Sequence, residues 1–173
     1  MCEAVAVDVA DWEQRTADAW ASLDQHGEAE FRALIEGLAA ELPPDSAIAA
    51  FERASAFDST GHSDRAVPLY RQALWTGLTG ERRRRAVIQL SSSLRNTGQA
   101  EESVTLLRAE LAAGSDALDD AVRATLALAL TEIGEEREAV SVALTALAPH
   151  LPRYQRSMAN YARLLVESSP GPE

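Results

Sequence analysis

The chain contains no lysine: all 16 of its basic residues are arginine, against 27 acids, for a net charge of -11. Without lysine there is no Schiff-base nucleophile. The negative balance argues against nonspecific binding to nucleic acid or to an anionic membrane surface, both of which need a cationic footprint. Cysteine is nearly absent as well. Cys2 stands alone, so there is neither an internal disulfide nor a thiolate metal cluster, as expected in a reducing compartment. No long hydrophobic run occurs: the longest uncharged stretch, Ala139 to Pro152, contains Pro149 and falls short of the roughly 20 apolar residues that span a bilayer. The first residues lack the basic and apolar regions of a secretory signal, so a cytoplasmic location is expected. Phosphate loops, dinucleotide fingerprints, nucleophile elbows and H-E-x-x-H are all missing. The expectation is a protein that is not an enzyme and uses no cofactor.

The residues that are abundant are helix formers. Across 173 residues, 46% are apolar, 25% charged and only 5% aromatic, the composition of a folded helical protein rather than a disordered one. The excess of Ala and Arg suggests a GC-rich bacterial genome. Charge is uneven along the chain. Residues 1–42 carry ten acids against Arg15 and Arg32, a net of -8, which leaves -3 for the other 131 residues.

Three stretches repeat one plan: DSTGHSDRAVPLY at 58–70, RNTGQAEESVTLL at 95–107 and TEIGEEREAVSVA at 131–143. Gly61, Gly98 and Gly134 are spaced by 37 and 36 residues, and Gly27 lies 34 before Gly61. Such a period means stacked helical hairpins. Each Gly follows an apolar-periodic segment, where a left-handed cap is expected, and acids follow in the first turn of the next helix. Within the hairpins, Ala50, Ala54 and Phe57 oppose Ala66, Tyr70, Ala73 and Leu74. Val87, Leu90, Ser91 and Leu94 oppose Val104, Leu107 and Leu111; Leu126, Ala127 and Leu130 oppose Ala139, Ala143, Ala146 and Leu147. This spacing predicts paired amphipathic helices that approach closely at Ala54, Ser91 and Ala127.

These residues resemble the tetratricopeptide repeat, with its pattern W-x2-L-G-x2-Y, A-x3-F and P. The best unit has Ala54 at the small position, Phe57 at the tyrosine, and Ala66 and Tyr70 in A-x3-F. The resemblance implies an all-α, right-handed α-solenoid of antiparallel helix hairpins forming a single domain. Its parts are a degenerate hairpin at 10–44, repeats at 45–79, 80–114 and 115–149, a capping helix at 150–167 and a tail at 168–173. In the degenerate hairpin Arg32 and Glu36 occupy places that should be small and aromatic. The cap is expected to bury Tyr154, Met158, Tyr161, Leu164 and Leu165, since repeat arrays end on a helix with a polar outer side.

In this family the first helix of each hairpin lines a concave groove. That implies a partner-binding surface of Phe51, Ser55, Asp58, Arg85, Ile88, Gln89, Ser92, Arg95, Asn96 and Leu128. Arg85 and Arg95 suit a carboxylate ligand, because the guanidinium fork donates parallel hydrogen bonds. Members that clamp a terminal carboxylate use Lys and Asn; here Asn96 is present and lysine is not. The expected partner is a protein or peptide, an acidic one if Arg85 and Arg95 carry it. The alternative is a structural subunit that acts as a homodimer or larger homo-oligomer, through the acidic hairpin or the cap. Arg82, Arg83 and Arg84 are read as a solvated helix start, and Trp75 as packing between repeats. Trp20 reads as core, while Trp12 fits either core or surface. Asp58, His62 and Asp64 form only a weak, scattered metal-ligand pattern of residue types that are routine in turns and helix-capping loops, so no metal is expected.

Overall fold

Gly61, Gly98 and Gly134 adopt left-handed backbone, with φ of 78°, 78° and 81°, and each closes its helix in the same way. The amide after the glycine reaches back to the carbonyl five residues earlier: His62 to Phe57 at 2.9 Å, Gln99 to Leu94 at 2.8 Å, Glu135 to Leu130 at 3.0 Å. The glycine's own amide bonds Asp58, Arg95 and Thr131, respectively. This is the paired Schellman cap, which only a residue without a Cβ enters at low cost. Gly27 behaves differently. It is extended, at φ -70°, and starts a helix, so the first hairpin turns by another route, a short 3-10 turn at Leu23–Gln25.

The computed structural model describes residues 8–167. Cys2 and the tail at 168–173 lie outside the described residues. Among them are nine α-helices and no strand: α1 Val9–Ala21, α2 Glu28–Ala39, α3 Ala47–Ser59, α4 Ser63–Trp75, α5 Gly80–Asn96, α6 Ala100–Ala113, α7 Asp119–Glu132, α8 Glu136–Leu147 and α9 Gln155–Val166. Within each unit the connections are short and consecutive helices pack on one another, as in a tetratricopeptide-like helical repeat. The chain divides into two compact units, one ending at Ala86 and the next beginning at Val87, within α5.

In the first unit α1 packs on α2, α2 on α3 and α3 on α4. Its core joins Phe31, Ile35 and Leu38 of α2 to Ala19 and Ala56, with Trp20 set edge-on to Phe31 at 5.0 Å between centroids. Trp12 is core: it is buried, and its indole N–H donates to the Leu38 carbonyl at 2.8 Å. The two misfit residues of the first hairpin tie it to the next. Arg32 donates to Thr60 Oγ1 at 2.8 Å, and Glu36 accepts from Arg53 at 2.7 and 2.8 Å.

In the second unit α6 packs on α7, α7 on α8 and α8 on α9. Val104 and Leu107 meet Val122, Leu126, Ala127, Leu130 and Ala139 in one core, with Ile88 and Leu111 at its edge. Ala54, Ser91 and Ala127 are all buried, as their small size anticipates.

Two expectations need correction. Ala143 and Leu147 are exposed, because α8 gives another face to α9: Ser141 Oγ donates to the Ala162 carbonyl at 2.7 Å, and Arg137 reaches the Leu165 carbonyl. The cap helix is also turned from its expected setting. Ala162 is buried, with Met158 and Leu165 half-buried beside it, whereas Tyr154, Tyr161 and Leu164 face water. Tyr154 is not even within the helix; it precedes it in a left-handed conformation, φ 68°.

Candidate protein-interaction surface

α3 and α5 both begin at the edge of a cavity of about 640 Å³ in the first unit, lined by Ser46, Ala47, Ile48, Leu78, Thr79, Glu81, Arg82 and Arg85 together with Gly77. Ser46 caps α3, accepting from the Ala49 amide at 3.2 Å. The left-handed Gly77 and Gly80 turn the chain from α4 into α5. Two helix starts therefore present partly unsatisfied amides to one space, which favours negative charge there.

The two arginines of this cavity differ in state. Arg82 is fixed. It forks onto Glu13 at 2.6 and 2.8 Å and donates through Nε to Glu52 at 3.1 Å. Glu52 is almost fully buried and also accepts the Trp20 indole N–H at 2.8 Å. The Arg82 guanidinium, bonded to Glu13, holds that carboxyl below the usual carboxylate range. Arg85, by contrast, is exposed and makes no ion pair among the described residues. Its guanidinium lies over the Phe51 ring, 5.3 Å from the centroid, an arrangement that orients a cation without neutralising it.

Phe51, Ser55 and Asp58 do not lie on a surface stripe together. Phe51 is 0% exposed and Ser55 1%, which corrects their expected place in an open groove. They back the buried Tyr70, whose hydroxyl faces Ser55 Oγ at 3.4 Å and the half-buried Asp58 carboxylate at 3.5 Å. Burial, then the Asp58 charge, pushes the Tyr70 hydroxyl well above its ordinary value. An α3 flanked by helices on two sides has only a narrow arc left for solvent.

In the second unit Ile88, Gln89 and Ser92 are half-buried. Arg95 is half-buried too; it pairs with Glu132 at 3.2 Å and donates to Asn96 Oδ1 at 3.0 Å. Its charge is already met within the unit, and only Asn96 of this set is exposed. Leu128 is open to water on a shallow apolar groove of about 440 Å³ between α7 and α8, beside Ala124, Val140 and Ala143.

The start of α5 is not a solvated charge run: Arg84 is 7% exposed, Arg82 and Arg83 are half-buried. Trp75 is not packed between repeats. It is 93% exposed, because α4 ends there and the turn through Gly77 carries Leu78, not Trp75, inward. His62 sits 2.6 Å from the Thr60 carbonyl, and no group of three His, Cys, Asp or Glu residues among those described is placed to hold a metal ion. The network of Glu13, Trp20, Glu52 and Arg82 was missed. Its one sequence signal is Glu52 itself, an acid that directly follows Phe51 within the Ala-rich first half of α3.

A family model described as Tetratrico peptide repeat matches residues 47–165. The chain belongs to the tetratricopeptide repeat family, whose repeats generally mediate protein–protein interaction. No curated protein matches the chain. Among the described residues, no helix is long and apolar enough to cross a membrane.

Proposed function

We propose that this protein is a non-catalytic adaptor of the cytoplasm that holds an acidic segment of a partner protein, anchored at Arg85. The observation that carries the reading is the contrast within one cavity: Arg82 is saturated by Glu13 and Glu52, while Arg85 stands exposed, oriented by Phe51, and without an ion pair among the described residues. A carboxylate placed there accepts two parallel bonds from the guanidinium fork and meets the positive ends of α3 and α5. Ile48 and Leu78 supply apolar wall for the neighbouring side chain of the bound segment. Arg95 has the weaker claim, because a ligand carboxylate there must displace Glu132.

The test is fluorescence anisotropy with labelled extended peptides rich in Asp and Glu, alongside the same peptides with Asn and Gln in their place. The acidic set should bind, more weakly as salt rises, and Arg85→Glu should abolish binding without changing the helical spectrum. Equal binding of the amide peptides, or binding by Arg85→Glu as strong as by the native chain, refutes the reading.

A further inference from the structure

Exposed large apolar side chains are concentrated in the second unit. Leu128 of α7 is 53% exposed, Val140 and Leu147 of α8 49% each, and Tyr161 and Leu164 of α9 59% and 49%. They share one side of that unit. α9 runs antiparallel to α8, since Arg137 at the start of α8 reaches Leu165 near the end of α9 and Ser141 reaches Ala162. At about 100° per residue, Met158, Ala162 and Leu165 form the seated stripe of α9, and Tyr161 with Leu164 form the stripe next to it. With the two helices antiparallel, that second stripe emerges on the side of α8 that carries Val140, Ala143 and Leu147. The same side carries the apolar groove between α7 and α8.

We propose that this face is the isologous interface of a homodimer, in which the apolar sides of α7, α8 and α9 of two copies pack on each other. The inference is independent of the Arg85 cavity, none of whose residues it uses. Three observations select a second copy as the occupant. The first is area. Taking about 150–250 Å² for a large side chain fully exposed, five that are half exposed offer roughly 400–600 Å², and the groove alanines add to it. That lies at the upper end of the roughly 300–600 Å² of the largest apolar patch on a typical monomer, a patch that is often functional, and with the groove alanines it approaches the ~800 Å² per partner of a standard interface.

The second observation is shape. The face holds both a ridge, Tyr161 and Leu164, and a shallow groove lined by alanines, and a two-fold interface requires one patch to complement itself. The third is charge. Residues 139–148, AVSVALTALA, contain no charged residue in a chain that is 25% charged, matching the depletion of charge at interface cores. The acidity that would hold two copies apart is greatest in the first 42 residues, net -8, which belong to the other unit.

The experiment is sedimentation equilibrium of the full chain under reducing conditions, which removes any disulfide through Cys2. The native chain should sediment at twice its 18.6 kDa. Tyr161→Glu combined with Leu164→Glu should give monomer with unchanged helicity. Leu128→Glu, on a different helix and at an exposed position, should do the same if the α9 variant misfolds. Arg85→Glu and Trp75→Ala should remain dimeric. A native monomer at about 100 μM, a dimer that survives both the α9 and Leu128 variants, or one that Trp75→Ala dissociates, overturns the assignment. A failed peptide titration leaves it standing, because the two surfaces share no residue.

Discussion

Replacing Arg82 with alanine should unlock the first hairpin, and the size of the loss follows from what is left behind. In the native chain Arg82 bridges Glu13, whose side chain is 39% exposed, and Glu52, at 5%. Without it Glu13 turns to water at little cost. Glu52 cannot: it remains enclosed, with the Trp20 N–H as its one neutral donor among the described residues. Removing one partner of a fully buried ion pair costs about 3–5 kcal/mol, and because the Arg82 side chain is itself a quarter exposed we expect about 2–3 kcal/mol. That is a large share of the 5–15 kcal/mol typical of a domain. Guanidinium denaturation followed by circular dichroism at pH 7.5 measures it. The sign of the pH effect is also fixed. Glu13, with its folded pKa depressed, contributes stability that is present above the unfolded carboxylate pKa and lost as pH falls through the folded one. Arg82→Ala removes that contribution. The gap between variant and native chain should therefore hold from pH 7.5 down to about pH 4.3, the ordinary glutamate value, and narrow below it as Glu13 takes up its proton. Adding Glu52→Gln to the variant should recover more than half of the loss, since the amide oxygen still accepts from Trp20 and no charge is stranded. A loss below about 0.5 kcal/mol, the size usual for exposed sites, or no rescue by Glu52→Gln, refutes the reasoning.

Leu94→Asp should unfold the second unit, because Leu94 is 0% exposed and an unpaired buried charge costs several kcal/mol; a helical signal that melts like the native one contradicts the packing. Gly98→Ala should lose about 1–2 kcal/mol in chemical denaturation, since Gly98 sits at φ 78° where a Cβ is strained. Trp75→Ser should shift stability by less than about 0.5 kcal/mol and remove most of the iodide-quenchable tryptophan fluorescence, as Trp12 is buried and Trp20 partly so.

The hairpins were legible because three local rules coincide at each: a glycine that must be left-handed, acids in the following first turn, and a small residue where two helices touch. Those rules are local, and the turns at Gly61, Gly98 and Gly134 obey them. The surface was much less legible, for a physical reason. A helix in a stacked array has neighbours on more than one side, so a helical wheel separates buried from exposed only once it is known how many sides are covered. Phe51 and Ser55 fall in an arc that is covered here; Arg85, a few ångströms from Phe51, does not. Arginine runs mislead in the same way, since a long side chain can leave its own helix and reach an acid 69 residues away, as Arg82 does with Glu13. The roll of α9 was beyond reach as well. Its wheel offers a broad apolar sector from Met158 round to Leu164, and only the seat at Ser141 decides which half is buried.

The central claim, that an acidic partner segment docks at Arg85, is tested most directly by mapping the contact residue by residue. Titrating an acidic extended peptide into the ¹⁵N-labelled chain should shift the amide signals of residues 46–48 and 77–85 first and most, with Arg85→Glu silencing those shifts. Shifts confined to α7, α8 and α9, or a titration unchanged in Arg85→Glu, would contradict it.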